Sequence, residues 1–268
     1  MGKDQDPRRS ESIRSLKKGL DVLHRFLAQD EWGVRELSQA IGLPRSTTGR
    51  ILQTLEEEGI LEGDPGSGKY RLGFELYRIA SIVVTKMDVI RIALPLMKQL
   101  AAECNETVYL LVYHGCQLTF ISKVDCPHPV KYVVELGRSQ SAHCGASGKA
   151  IMAYLSTDEL EFVIRETGLA PVTPNTITDR ARLLADLDLT RTRGFAFSVG
   201  ERIPGVVGIA APVFDARGQV FGGLNVTIPD SRFQPGMEAH LGPLVSRYAK
   251  CLSDMLGHVP NHKKAEGG

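Results

Sequence analysis

The sequence has no long apolar run, no excess of charge of one sign and no cysteine pair with metal-binding spacing. No uninterrupted apolar stretch approaches the roughly 20 residues that a membrane-spanning helix needs, so no span is expected. The 268 residues carry a formal net charge of only +1, so any evidence for a nucleic-acid partner must come from local charge placement. None of the five cysteines stands in a C-x-x-C pair, which argues against a disulfide framework or a structural zinc site.

The two ends of the chain are polar. We expect a disordered leader over residues 1–12, because low apolar content cannot offset the entropy cost of ordering, and a flexible tail over residues 258–268. The N-terminus also lacks the apolar stretch of a signal peptide. Together with free thiols, which suit a reducing compartment, this predicts a cytoplasmic protein. The length suits two globular domains.

Short helical patterns followed by a hairpin occupy residues 13–72. The first helix is predicted over about 13–29, and its leucines at helical spacing predict one buried stripe, namely Leu16, Leu20, Leu23 and Leu27. Two further short helices follow, and the second of them begins at Pro44. Two extended pieces, residues 60–62 and 69–72, flank a Gly/Pro-rich loop and predict a β-hairpin. The pattern indicates a winged helix-turn-helix.

The polar opening of the third helix carries the chemistry for DNA recognition. Recognition helices place their N-terminal residues against base edges, where Arg donates to guanine or phosphate and Ser or Thr to bases or backbone oxygens. The wing offers polar side chains and glycine N–H groups to phosphates. The predicted DNA-binding residues are Arg45, Ser46, Thr47, Thr48 and Arg50 in the helix and Ser67 and Lys69 in the wing. Acidic and basic residues balance over residues 1–72, so one monomer is expected to bind weakly, and two monomers would add their phosphate contacts.

A second helical pattern runs from Gly73 to about Glu103. We interpret it as a linker helix over residues 73–90, followed by the first helix of a second domain over residues 91–257. Pro95 is expected to end or kink this helix unless it lies in a first turn.

The second domain mixes predicted strands and helices. Runs of β-branched and aromatic residues predict strands over 107–113, 118–124, 130–135, 206–214 and 219–228. A hairpin turn at residues 215–218 joins the last two. Helices are predicted over 146–155, 158–167, 180–193 and 235–256. The fold class is therefore α+β, with a mainly antiparallel sheet in a sensor-like domain.

The segment Gly-Ala-Ser-Gly-Lys at residues 145–149 approaches two catalytic motifs without matching either. A nucleophile elbow needs glycine where Lys149 stands, and a P-loop needs Ser or Thr where Ala150 stands. His143 beside Cys144 could form a nucleophile pair or half of a metal site. Adjacent residues on an extended segment point to opposite sides, which favours a structural histidine and a buried thiol. No catalytic, metal or cofactor residue is predicted, and the chain is not predicted to be an enzyme.

Two independent regions resemble the IclR family of bacterial transcription regulators, from about Ser15 to Leu256. The motifs that carry the resemblance are residues 15–23, 42–52, 143–150, 173–178 and 205–213. The resemblance implies a GAF-like effector-binding domain, dimerisation through the DNA-binding half and the linker, and often a dimer of dimers. It also implies control of catabolic genes by a small organic acid or an aromatic metabolite.

Matching motif positions imply an effector-binding pocket in the second domain. Its residues would be Ala146 and Ser147 at a helix start, Ser198, Val206 and Gly208, and Asn225 and Thr227 on the last strand. A helix N-terminus carries unpaired N–H groups and favours a carboxylate. Asn225 and Thr227 are two residues apart, so they face the same side of their strand.

The sequence therefore predicts a DNA-binding transcriptional regulator of the IclR type, repressor or activator. Its partners would be double-stranded operator DNA and a small-molecule effector, and it would form a homodimer or a dimer of dimers. The alternative is a small-molecule-binding protein or an enzyme with a helical adaptor domain. The winged motif and the missing acid–base or nucleophile pair favour the regulator.

Overall fold

A computed structural model describes residues 13–86 and 88–259, and within these ranges it describes the side chains outside residues 81–88. The predicted leader at residues 1–12 and the tail from residue 260 lie outside the described residues. The chain forms two compact units that divide between residues 87 and 88. Among the described helices, none is long and apolar enough to cross a membrane.

The first unit is a winged helix-turn-helix followed by a further helix. Its elements are α1 (Arg14–Arg25), β1 (Trp32–Gly33), α2 (Val34–Ile41), α3 (Arg45–Glu57), β2 (Leu61–Asp64), β3 (Lys69–Leu72) and α4 (Phe74–Lys86). The predicted hairpin is confirmed as β2–β3. Residues 32 and 33, for which no strand is predicted, add a third strand, because Trp32 pairs with Tyr70 and Gly33 with Lys69. The sheet is antiparallel in the order β1-β3-β2.

The buried face of α1 is not the predicted leucine stripe. Leu16, Leu20 and Leu27 are 60%, 47% and 69% exposed, and Leu23 alone of the four packs against the core. Val22 and Phe26 are buried instead, together with residues from α2, α3 and β2: Leu37, Leu52 and Leu61. Helix α1 has two apolar stripes, and its spacing alone does not determine which one the neighbouring helices cover. One apolar face of α1 is left exposed in this unit.

The second unit is built on a six-stranded sheet. Its elements are α5 (Asp88–Cys104), β4 (Thr107–His114), β5 (Gln117–Val124), β6 (Ser139–Ser141), α6 (Gly145–Met152), α7 (Thr157–Thr167), α8 (Arg180–Arg193), β7 (Ala196–Val199), β8 (Val206–Phe214), β9 (Val220–Pro229) and α9 (Met237–Met255). All neighbouring strands are antiparallel, in the order β6-β5-β4-β9-β8-β7. This confirms the α+β class and the mainly antiparallel sheet.

One expectation for this unit is wrong. Residues 130–135 form no strand, because the Tyr109 hydroxyl holds this segment away from the ladder by accepting from the Val134 N–H (3.0 Å) and donating to the Tyr132 carbonyl (3.0 Å). The edge position beside β5 is taken by β6. Pro95 lies inside α5 without ending it. Buried residues before and after the proline, Ala93 and Met97, keep the helix packed in place across the missing N–H.

Helices cover both faces of the large sheet. Helix α6 packs on the face of β8 and β9 that carries Gly208, Asn225 and Thr227, and α8 packs against α6. Helices α5 and α9 pack against each other and against the sheet, where the alternate residues of β9, such as Leu224 and Val226, are buried. The start of α6 therefore lies over polar positions at the end of β9.

Candidate functional site

The opening turn of α3 lies on the surface of the first unit. Arg45, Ser46 and Arg50 are exposed and Thr47 is partly exposed. Thr48 differs, because its side chain is buried and its Oγ1 donates to the Pro44 carbonyl (3.2 Å). Its prediction as a DNA-binding residue is wrong. Thr48 lies one helical turn before buried Leu52, so both side chains point into the core.

The tip of the wing is organised by the carboxylate of Asp64. The Ser67 hydroxyl donates to it (2.6 Å), as do the N–H groups of Gly66 and Ser67 (3.1 Å each). The hydroxyl bond from Ser67, followed by these N–H groups, holds the pKa of Asp64 below its usual value. The glycine N–H groups predicted to face phosphates are therefore used inside the turn, since Gly68 also donates to the Asp64 carbonyl (2.8 Å). Exposed Ser67 and partly exposed Lys69 remain at the wing surface.

A groove between α1 and α3 adds further cations to this surface. It is lined by Arg14 and Lys18 of α1 and by Arg50 of α3, among other residues. Its apolar wall includes Leu16 and Ile51. The exposed positive charge of the first unit therefore continues from the recognition helix onto the start of α1.

In the second unit, all seven residues implied for the effector pocket line one cavity. Ala146, Ser147, Ser198, Val206, Gly208, Asn225 and Thr227 are joined there by residues that the sequence analysis missed, including Phe120, Val134, Gln140, Glu201, Arg202 and Ile203. The cavity measures about 50 Å³, several times the roughly 10–15 Å³ that one buried water requires. It has room for a small molecule.

The N-terminus of α6 faces this cavity, but the protein's own side chains take its first two N–H groups. Gly145 N–H donates to Glu201 Oε2 (3.1 Å), and Ala146 N–H donates to Ser198 Oγ (2.9 Å). The expectation of unpaired N–H groups is therefore wrong for these two positions. A carboxylate does sit at the positive end of the helix, and it belongs to Glu201.

Glu201 is also the partner of a buried lysine. Lys149 Nζ donates to Glu201 Oε1 (2.5 Å) and to the Phe197 carbonyl (2.7 Å), and it lies 2.8 Å from Asp186 Oδ2. A buried ammonium is costly unless it is paired and hydrogen-bonded. This cluster joins α6, α8, β7 and the segment after β7 at one point.

The Gly-Ala-Ser-Gly-Lys segment is accordingly structural. A Cβ on Gly148 would lie 2.0 Å from the Ala142 carbonyl oxygen, so only glycine permits this approach, and Gly145 has a φ of +76°. Lys149 serves the buried ion pair. The resemblance to catalytic loops therefore reflects close packing at the start of α6.

His143 and Cys144 behave as the structural interpretation expected. His143 Nδ1 lies 2.8 Å from Ser141 Oγ, and its Nε2 lies 2.8 Å from the Ala170 carbonyl. Burial raises the pKa of the Cys144 thiol to about 11, so it is protonated and unreactive near neutral pH. Within residues 13–86 and 88–259, no group of His, Cys, Asp and Glu could hold a metal ion.

The missed lining residues come from distant parts of the chain. Phe120 lies on β5, Gln140 on β6 and Arg202 in the segment between β7 and β8. No periodicity or spacing relates them, because the sheet order brings them together. The only local signal was the charged pair of Glu201 and Arg202 within an otherwise uncharged segment.

Two family models match nearly the whole chain. One, the IclR helix-turn-helix domain, matches residues 15–65. The other, the bacterial transcriptional regulator IclR C-terminal domain, matches residues 81–254. The chain belongs to the IclR family of bacterial transcriptional regulators. As a member of this family, it is a DNA-binding transcription regulator and not an enzyme.

Individual relatives agree with this assignment. The chain is 30% identical over 258 residues to the HTH-type transcriptional repressor AllR of Klebsiella pneumoniae, covering 96% of this chain and 94% of the relative. An IclR regulator structure from Alicyclobacillus acidocaldarius superposes with a TM-score of 0.83 at 27% identity, covering 92% of this chain and 100% of the other. An IclR homologue from Microbacterium hydrocarbonoxydans, crystallised with 4-hydroxybenzoate, shares the fold with a TM-score of 0.78 at 23% identity, covering 90% and 98%.

The buried ion pair of this IclR-family regulator generates a stability prediction. Lys149→Met should lower the free energy of unfolding of the second unit by about 3–5 kcal/mol, because it leaves the buried carboxylate of Glu201 without its cation. Thermal unfolding followed by circular dichroism measures the loss. The matched control is Lys250→Met, at an exposed position on α9. Equal stability of the two variants would contradict the role given to Lys149.

Proposed function

We propose that this regulator reads operator DNA with the opening turn of α3 and contacts the backbone with the wing. It acts in the cytoplasm as a homodimer or a dimer of dimers, and a small organic acid in the cavity of the second unit changes its operator affinity. The observation that carries the proposal is the exposure of Arg45, Ser46 and Arg50 on a recognition helix that is followed directly by a wing.

Exposure and charge indicate which residues of this surface contact bases and which contact phosphates. Arg45 and Arg50 present planar donors that suit guanine or phosphate, and Ser46 and Thr47 supply hydroxyls to bases or backbone oxygens. Lys69 brings a cation to the wing, where phosphate contact positions the protein without reading sequence. Ser67 is exposed beside Lys69 on the same wing. The cations at the start of α1 extend the same phosphate-binding surface.

Replacing either recognition arginine tests this assignment. Arg45→Ala or Arg50→Ala should weaken operator binding by about 1–3 kcal/mol, because each removes a two-pronged contact. Fluorescence anisotropy measures this on a duplex selected by the wild-type protein from a random library. Arg165→Ala, which removes an exposed arginine from α7, is the control. If both recognition variants bind as tightly as the control, α3 does not read the duplex.

The exposed apolar residues of the first unit suit dimerisation. Leu16 and Leu20 form an uncovered stripe on α1 and Leu27 is exposed in the turn that follows it. Helix α4 exposes Phe74 and Tyr77, whose rings stack at 5.6 Å between centroids. Monomeric proteins rarely leave such patches in water. A second copy of the chain is the occupant that the family resemblance implies, and a dimer supplies the doubled phosphate contacts that the balanced charge of one copy requires.

A charge on the α1 stripe should break this dimer. Leu16→Glu combined with Leu20→Glu should give monomers by light scattering, since burying two carboxylates in an apolar interface is costly. Val172→Glu is the control, because it adds a charge at an exposed apolar position of the second unit. A variant that stays as large as wild type would exclude this stripe as the interface.

Control by a small molecule is proposed from the cavity. Its polar positions come from three strands, a helix start and the segment between β7 and β8, and such convergence of a few polar groups is typical of ligand sites. The relative crystallised with 4-hydroxybenzoate supports an organic acid as the ligand class. A thermal-shift screen of small carboxylates and aromatic acids tests this, because a ligand at 100 times its Kd stabilises the folded state by about 2.7 kcal/mol.

Asn225→Leu should abolish the response to the best acid of that screen. The substitution removes the amide that donates to Thr227 Oγ1 (2.8 Å) and places apolar bulk in the cavity. Operator binding without the acid should persist, because α3 and the wing are unaltered, and this binding also serves as the folding control. The measurement is operator affinity with and without the acid. A response equal to that of the wild type would remove Asn225 from the ligand site.

A further inference from the structure

Arg202 is a cation at the cavity without a carboxylate partner. It follows Glu201 in the segment between β7 and β8, and its Cζ lies 5.4 Å from the centre of the Phe120 ring. Among the described side chains, no Asp or Glu pairs with it. Its neighbour Glu201 is already bonded to Lys149 and Gly145. Burial, with a smaller contribution from the charge of Arg138, lowers the pKa of Arg202.

Gln140 contributes a second unsatisfied group to the same cavity. Its side chain is more than nine-tenths buried, and its Oε1 has no hydrogen-bond partner within the described part of the chain. Buried polar groups in native proteins nearly always have a partner, so an orphan acceptor on a residue of the cavity wall is a candidate for a donor that a ligand supplies. A ligand hydroxyl or N–H would satisfy it.

Several other polar groups of the wall bond to each other. Ser198 accepts from the Ala146 N–H, Asn225 donates to Thr227, and the Glu201 carboxylate is held at the start of α6. None of these bonds involves the guanidinium of Arg202 or the oxygen of Gln140. The apolar part of the wall, Phe120, Val134 and Ile203, and the volume of about 50 Å³ restrict the carbon skeleton to a short one.

We infer that Arg202 is the residue that selects the ligand of this cavity, by pairing with the carboxylate of a short hydroxy acid whose hydroxyl donates to Gln140. This inference rests on the proposed effector function of the cavity. The planar guanidinium can hold both carboxylate oxygens at once, and a partly desolvated cation gains more from an anion than a solvated one does. The N–H groups of Gly145 and Ala146 at the start of α6 are taken, so these two groups are not the carboxylate anchor here.

The discriminating comparison is between acids and their neutral amides, which match in shape. Glycolate and lactate are titrated against glycolamide and lactamide by calorimetry on the full-length protein, and acetate serves as the acid without a hydroxyl. Wild type should bind the acids at least tenfold more tightly than the amides, because an amide carries no charge and presents its own N–H groups to the guanidinium. Glycolate should bind more tightly than acetate because of its bond to Gln140.

Three variants assign these preferences to residues. Arg202→Met should reduce the acid-to-amide ratio to about one, while Gln140→Leu should remove the advantage of glycolate over acetate and keep the acid-to-amide ratio. Arg138→Met, the matched control at the neighbouring exposed arginine, should keep both preferences. An acid preference that survives in Arg202→Met, or a wild type that binds none of the acids at millimolar concentrations, overturns the inference.

The stability of the unliganded variant separates a ligand anchor from a structural arginine. Arg202→Met should melt at the same temperature as wild type or higher, because it removes an unpaired and partly buried charge. A lower melting temperature would show that Arg202 has a structural partner and would contradict the inference. These measurements contain no DNA. Acids that bind through Arg202 without altering operator affinity would therefore disprove the effector function and leave the anchor standing.

Discussion

The second unit depends on one buried ion pair, between Lys149 and Glu201. An ammonium this deeply buried is tolerated only where it is fully paired, so the carboxylate, the Phe197 carbonyl and Asp186 must all converge on it. The other oxygen of Glu201 caps α6 through Gly145. The pair thus sets where α6 begins relative to β7 and β8. The walls of the cavity follow from that placement.

The ion pair between Lys149 and Glu201 also determines which charged group is left at the cavity. With Glu201 committed to the core, its sequence neighbour Arg202 is left beside the Phe120 ring as an unpaired cation. The Thr176 hydroxyl donates to the Glu201 carbonyl (2.6 Å) and holds the backbone of this segment in place. Glu201 and Arg202 are adjacent in sequence but have different roles. Glu201 is structural, and Arg202 faces the cavity.

In the first unit, helical periodicity places the core residues and the exposed polar residues of α3 on different faces of the helix. On α3, Thr48 and Leu52 point inward and join the core, while Arg45, Ser46 and Arg50 point outward. Because the inward residues are one turn apart, they share one face of the helix, and the polar residues are left on the other face. The wing tip is stiffened in a similar way by Asp64, whose negative charge is used within the turn.

Much of the architecture could be predicted from local patterns. The wing, the turn at residues 215–218 with Gly218 at a φ of +75°, and the helices of the second unit were predicted correctly because each depends on neighbours within a few residues. The predictions were wrong where a contact between residues distant in sequence determined the local structure. The core covers Val22 and Phe26 on α1 in place of the leucines, and Tyr109 holds residues 130–135 out of the sheet.

The amino-acid sequence by itself determined the wing, most of the helices and the family, since these are written in residue types and motifs along the chain. The cavity positions followed from the family resemblance that those motifs carry. Only the tertiary structure decided that Thr48 is buried, that Glu201 caps α6, and that Arg202, Gln140 and Phe120 share one cavity. These residues are separated in sequence and meet through sheet order and a buried charge. No local pattern encodes such a meeting, because the free energy that stabilises it comes from contacts between elements distant along the chain.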